Sequence, residues 1–482
     1  MWASQEFAML SAPTRSGKDV GFVIPNLLTY TDSVVCLDLK LEAWRLTAGF
    51  RAQHGQECYL FAPNHPDQTS HRWNPLSYIR DTFDYRIGDI QNLANMWYPT
   101  GGKDAFWHDN AQTLFLGLVL FIMETPGQDR TMANVLRLTT PSNGEGLERW
   151  VESTIQQRIQ AGTPLSPECV DALRSFSANT ETVRASILST MVAPLKIFRN
   201  PLLAAATAET DFDFRNLRRR RMSVYVGMTA EDLTNYTLLI NTFFSQLINE
   251  NTKALPQSDS SLKYQCLLIL NEFASLGRVR IIQKAIGFMA AYNMRLLLIF
   301  QNKGQISGNE EGYGAEGANT LISNCALKIM YQPKENEDAR EYSEALGYQT
   351  VKDKSRTRQY SGHSSRSESE SDQRRALMLP QELKEIGFER QIISVENCKP
   401  VFSDKIIYWR DPAFEGRISL PTPSVPRLQG EETSVTTRPM RDDELGDIAA
   451  ADIVNRAEIL RAIGDAIGFN FDALRITPAG TS

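Results

Sequence analysis

Over the first sixty residues apolar positions come in short runs separated by polar turns. Phe7 to Leu10, Ser33 to Leu39 and Cys58 to Phe61 are nearly unbroken apolar runs, as strands buried on both faces of a parallel sheet are. Between the last two, Glu42 to Gln53 repeats its apolar residues at helical spacing, so the pattern predicts stacked βαβ units of a doubly wound fold. Pro25 is predicted to bend or end the helix that follows the first strand.

From about Asp84 the period changes. Helical spacing runs through Tyr85 to Met96, Asp109 to Met123, Met132 to Leu138, Gly146 to Gln160, Pro167 to Phe176 and Glu181 to Phe198. The steps Pro126-Gly127, Ser142-Asn143-Gly144 and Asn200-Pro201 separate these helices, as turn chemistry requires. Strand signals return at Met222 to Val226, Cys266 to Leu270 and Arg295 to Phe300, with helices at Tyr236 to Asn249 and Val279 to Tyr292 between them. The pattern thus predicts an α/β domain in two parts, 1–83 and 211–415, around an inserted all-α domain at 84–210. Within the second part, residues 351–374 are dominated by Ser, Arg, Lys, Glu and Gln, too little apolar surface to order a segment, and are expected to form a mobile loop. A last strand is expected at Lys405 to Trp409. Residues 416–482 read as a Pro- and Thr-rich linker and a tail with an amphipathic helix, roughly Asp443 to Ile467.

Composition narrows this picture only a little. A chain of 482 residues exceeds the size at which one core stops growing, which favours two or three domains. The net charge of -6 argues against a general nucleic-acid coat, while leaving room for a local basic groove. Six cysteines are scattered without a C-x-x-C pair, as small buried hydrophobes in a reducing compartment are. The longest apolar stretch, Leu114 to Met123, is too short to span a bilayer. The five histidines show no metal-ligand spacing.

The candidate chemistry begins at Ser11-Ala12-Pro13-Thr14-Arg15-Ser16-Gly17-Lys18-Asp19. A strand, a short loop ending in Gly-Lys and a helix are the parts of a phosphate-binding loop, in which backbone N–H groups of Thr14, Arg15, Ser16, Gly17, Lys18 and Asp19 would face the phosphates and Lys18 would reach the β and γ positions. Ala12 stands for the first glycine of the general pattern, and Asp19 stands where a hydroxyl usually helps to hold magnesium. The second half of a nucleotide hydrolase is an acidic pair at a strand end, and here the pair is Asn271-Glu272. Glu272 suits the base that activates water; Asn271 offers a neutral oxygen where a carboxylate is expected, with Asp19 as the alternative magnesium ligand. Gln301, at the next strand tip, suits a sensor of the γ-phosphate. Arg278 and Arg280 follow the pair and are candidates to act on a neighbouring subunit's nucleotide, against a plain reading as surface arginines. Arg218-Arg219-Arg220-Arg221 and Phe106-Trp107 are candidates to touch nucleic acid, against solvated-edge and helix-anchor readings.

Together these residues resemble the TraG-type coupling proteins of bacterial conjugation and type IV secretion, which are FtsK/HerA-like P-loop ATPases. The resemblance runs from about Gln5 to Phe414. It is carried by Ala12 to Lys18, Val23 to Leu28, His71-Arg72-Trp73-Asn74-Pro75-Leu76, Phe106-Trp107, Asn271 to Arg278, Gln301, Glu341-Tyr342-Ser343, Arg374 to Pro380 and Tyr408 to Pro412. It implies a RecA-like nucleotide-binding domain with an inserted all-α domain, ATP and Mg as cofactors, and assembly as a homohexamer. It also implies single-stranded DNA with its relaxosome, or protein substrate, and secretion-channel components as partners. The implied place is the cytoplasmic face of the bacterial inner membrane. Family members carry an N-terminal membrane anchor ahead of the phosphate loop; only about ten residues precede it here, so a soluble form without that anchor is expected. Aspartate is usual at the position of Asn271. That departure leaves two readings, an ATP-driven motor and a docking platform that binds nucleotide without efficient hydrolysis.

Overall fold

The computed structural model describes residues 6–101, 104–141, 146–308, 312–358 and 366–428. The expected helix at Asp443 to Ile467 lies outside them. The described residues include a nine-stranded sheet in the order β11-β10-β7-β1-β6-β5-β2-β4-β3. Its strands are β1 (Phe7–Ser11), β2 (Ser33–Leu37), β3 (Glu57–Phe61), β4 (Met222–Val226), β5 (Cys266–Leu270), β6 (Met294–Phe300), β7 (Cys325–Met330), β10 (Arg390–Val395) and β11 (Val401–Asp404). From β7 to β3 every pairing is parallel, and β10 and β11 add an antiparallel edge.

The apolar runs are double-sided. Alternate residues of each central strand join two different cores: Leu268, Leu270, Leu296 and Leu298 one, Leu267, Ile269, Leu297 and Ile299 the other. Helices Ile24–Thr29 and Glu42–Gln53 cover the second face. The first face carries helix Thr237–Asn251 and the helical block between β3 and β4, whose apolar core is continuous with it. The block's helices, Phe83–Trp97, Ala105–Glu124, Met132–Leu138, Leu147–Gln160, Pro167–Ser177, Glu181–Leu195 and Pro201–Ala206, follow the 3.6-residue pattern closely. Asn74 fastens the block at its neck, donating from Nδ2 to the carbonyls of Arg130 and Ala208 while its Oδ1 accepts the N–H of Leu76.

Several expectations are corrected. Pro25 does not end the first helix. The backbone is helical without a break from Lys18 to Thr29, with a π-type turn at Asp19–Val23 just before Pro25, whose missing N–H removes a rung of the regular ladder there. The strand expected at Lys405 to Trp409 lies earlier, at Val401–Asp404, and Lys405 follows it. The helix expected over Val279 to Tyr292 is two shorter pieces, Arg280–Ala285 and Met289–Tyr292.

Much of the stretch read as a mobile loop is instead an antiparallel ribbon, β8 (Tyr348–Arg358) with β9 (Arg366–Ala376). Apolar content misjudges such a ribbon because main-chain ladders and cross-strand charge hold it. Lys352 lies 3.7 Å from Glu370, and the Arg374 guanidinium stacks 3.7 Å over the Tyr348 ring.

Candidate functional site

The site forms where four parallel strands end side by side. The register of β1, β6, β5 and β2 brings Ser11 beside Phe300, Leu270 beside Leu298 and Cys36 beside Ile269. The loops leaving these tips carry Lys18, Gln301, Asn271-Glu272 and Asp38. Residues that are 254 positions apart in the chain meet: the Lys18 ammonium forms an ion pair with Glu272 Oε1. Gln301 Nε2 donates to the other Glu272 oxygen at 3.3 Å. Beside them Asn271 Nδ2 donates to Asp19 Oδ1 at 2.7 Å, which leaves Asn271 Oδ1 buried without a partner. A cavity of about 70 Å³ lies among Lys18, Asp19, Asp38, Asn271 and Glu272.

Glu272 stands at φ 59°, in the left-handed region that costs a non-glycine residue about 1–3 kcal/mol. The turn aims its carboxylate back at Lys18. In the loop, Arg15 (φ 62°) and Gly17 (φ 79°) are left-handed too and alternate with Thr14 and Ser16, the alternation from which anion-binding nests are built. Two of the loop's carbonyls are taken by main-chain N–H groups: that of Pro13 accepts from Ser16 N–H and that of Gly17 from Gly21 N–H. The N–H groups of Arg15, Gly17, Lys18 and Asp19 have no partner among the described residues. At Gly17 a side chain would also collide with the Phe388 ring, 2.9 Å from where its Cβ would stand.

Asp38 went unrecognised because it closes the apolar run Ser33 to Leu39 and reads there as part of a strand. The structure ends β2 at Leu37 and buries the Asp38 carboxylate, which accepts the N–H of Trp44 at 2.8 Å and so caps helix Glu42–Gln53. Burial pushes its carboxyl up to about 6, against the pull of the main-chain N–H groups of Trp44, Ala43 and Glu42. Since the folded value lies above the unfolded one, stability is lost as pH rises from about 4 through 6. Asp38→Asn is therefore expected to flatten the pH dependence of urea unfolding between pH 4.5 and 7 by about 2–3 kcal/mol; equal slopes for variant and wild type would overturn this.

Other candidates fall elsewhere. Arg278 and Arg280 are exposed and outside the cavity's lining. Arg218 is buried and holds Asn251 Oδ1 and the carbonyls of Tyr292 and Ala254, whereas Arg219 pairs with Asp259 and Arg220 with Glu57. These three guanidiniums thus have partners within the fold. Trp107 packs against the core as a helix anchor, and Phe106 beside it is exposed.

The family model described as type IV secretory system conjugative DNA transfer matches residues 2–434. The chain belongs to that family. It is 28% identical to the conjugal transfer protein TraG of Escherichia coli over 455 residues, 87% of this chain and 70% of that protein. To the protein VirD4 of Agrobacterium fabrum it is 27% identical over 461 residues, 92% of this chain and 66% of VirD4. The fold is that of the bacterial conjugative coupling protein TrwB. An unbound form of TrwB superposes with a TM-score of 0.57 at 16% identity, covering 86% of this chain and 88% of that one. TrwB in complex with ADP and Mg2+ does so with 0.58 at 14% identity, over 88% and 87%. The RecA-like α/β architecture expected from the sequence is therefore the one observed. Among the described residues no helix is long and apolar enough to cross a membrane.

Proposed function

We propose that the chain is a type IV coupling protein that binds ATP and magnesium at Thr14 to Asp19. Its energy would bring relaxase-bound single-stranded DNA, or protein substrate, to a type IV secretion channel. The observation that carries this reading is the meeting of Lys18, Glu272 and Gln301 beside a loop in which the N–H groups of Arg15, Gly17, Lys18 and Asp19 have no partner among the described residues. Incoming phosphates take those N–H groups and draw Lys18 from Glu272. Glu272 then faces the attacking water as base, and Gln301 Nε2, already on the Glu272 carboxylate, holds that carboxylate in place. Magnesium fits the donors present, because Asp19 supplies a carboxylate and Asn271 a buried oxygen without a partner. Bound there it would neutralise phosphate charge. Assembly into a homohexamer at the cytoplasmic face of the inner membrane, with Arg278 or Arg280 serving the neighbour's site, completes the reading.

The docking-platform reading draws on one contact: the Asn271 amide, in place of a second carboxylate, donates to Asp19. Steady-state ATP hydrolysis with and without single-stranded DNA separates the two. Turnover that rises several-fold with DNA and disappears in Glu272→Gln is the expected result. No turnover by the wild type, together with a gain in Asn271→Asp, would leave the platform.

A further inference from the structure

The phosphate loop is gripped from behind by two lysines that stand far away in sequence. Lys405, the residue after β11, is 8% exposed, and its ammonium donates to the Ser16 carbonyl at 3.1 Å. The ammonium lies 3.6 Å over the Tyr331 ring and 5.1 Å from that of Phe388. No carboxylate pairs with it among the described residues. Burial moves it down to about 8, against the carbonyl and the two ring faces, which favour the charged form. Lys334, past the end of β7, is exposed and donates to the carbonyl and the hydroxyl of Thr14 at 3.2 and 3.3 Å.

The two carbonyls belong to particular peptide units. In a planar trans peptide the C=O and the following N–H point in opposite directions. An ammonium on the Ser16 carbonyl therefore turns the Gly17 N–H to the other side and polarises it, and one on the Thr14 carbonyl does the same for the Arg15 N–H. These are two of the N–H groups without a partner, and both residues have left-handed φ. Left to itself, a left-handed Arg15 would relax and the nest would flatten.

We propose that Lys405 and Lys334 are positioning residues for the anion nest, fixing the peptides 16–17 and 14–15 so that their N–H groups face the phosphates before nucleotide arrives. Neither lysine lines the cavity between Lys18 and Glu272, so they act through the loop's backbone and not on the reacting atoms. The inference rests on the nucleotide-binding reading for its ligand, but its structural core concerns the nucleotide-free loop.

The test uses the full chain and two readouts. Without nucleotide, hydrogen exchange of the Ser16 amide, whose bond to the Pro13 carbonyl closes the loop, is expected to quicken about tenfold in Lys405→Met and to stay near wild type in Lys405→Arg, as a charge-assisted hydrogen bond of about 1.4 kcal/mol implies. Titration with a fluorescent ATP analogue is expected to show affinity lowered about tenfold by Lys405→Met and about threefold by Lys334→Met, an exposed site where folding is not at stake. Unchanged exchange in Lys405→Met overturns the inference, as does equal loss in Lys405→Arg and Lys405→Met, which would show that shape and not charge matters. If the wild type fails to bind ATP, the nucleotide reading falls, and the exchange rates alone decide whether the lysines hold the loop.

Discussion

Lys18→Ala is expected to lower the affinity for ATP by at least about a hundredfold, read by titration of the full chain with a fluorescent ATP analogue. The Lys18 side chain is 12% exposed and belongs to a loop in which the N–H groups of Arg15, Gly17, Lys18 and Asp19 have no partner among the described residues. Two unit charges 4 Å apart near a protein surface attract by about 4 kcal/mol, roughly three orders of magnitude, and partial hydration takes away about one of them. The fold should survive. Glu272, at 24% exposure, keeps its bond from Gln301 and reaches water, so the melting point is expected to fall by no more than the few degrees that about 1 kcal/mol represents. Glu272→Gln provides the contrast: binding persists, because the amide repels phosphate no more than the carboxylate did, while hydrolysis falls about 10²- to 10⁴-fold with loss of the base. An unchanged ATP affinity in Lys18→Ala would mean that the nucleotide binds elsewhere.

The loop itself was legible in sequence because it is local: an apolar strand, Gly-Lys and a helix start lie within about fifteen residues of one another. The helical block was legible for the same reason, since 3.6-residue periodicity needs no knowledge of neighbours. What the chain conceals is order across the sheet. Gln301 and Glu272 touch only because β6 lies between β1 and β5, and no spacing along the chain states that. Strand β7 and the antiparallel β10 beside it were missed because they break their apolar runs with Lys328 and Ser394, and short interrupted runs look like turns. Lys405 was read as the start of a strand. Its importance to the loop comes from burial against Tyr331 and Phe388, which depends on elements more than 300 residues beyond the loop.

Asn271→Asp is expected to turn a hydrogen bond into a conflict that pH and magnesium then control. The Asn271 amide lies 2.7 Å from Asp19 Oδ1. An aspartate there would set two carboxylates at that distance, which cannot both ionise freely, so the pair would hold one proton and one carboxyl would titrate above its unfolded value. A folded value raised in this way gives stability that is complete below about pH 4 and is lost as pH rises through the raised value. At pH 8 without divalent metal the variant is expected to be less stable than the wild type by about 2–3 kcal/mol, and at pH 5 by much less. Magnesium replaces the shared proton, so millimolar amounts are expected to return most of the lost stability at pH 8, by linkage, while moving the wild type far less. Thermal unfolding at the two pH values with and without the metal measures all of this. A variant that matches the wild type at pH 8 in chelator would show that residues 19 and 271 are not in contact. One that is weakened but indifferent to magnesium would show that the pair does not suit the metal, and would shift the balance from motor toward platform.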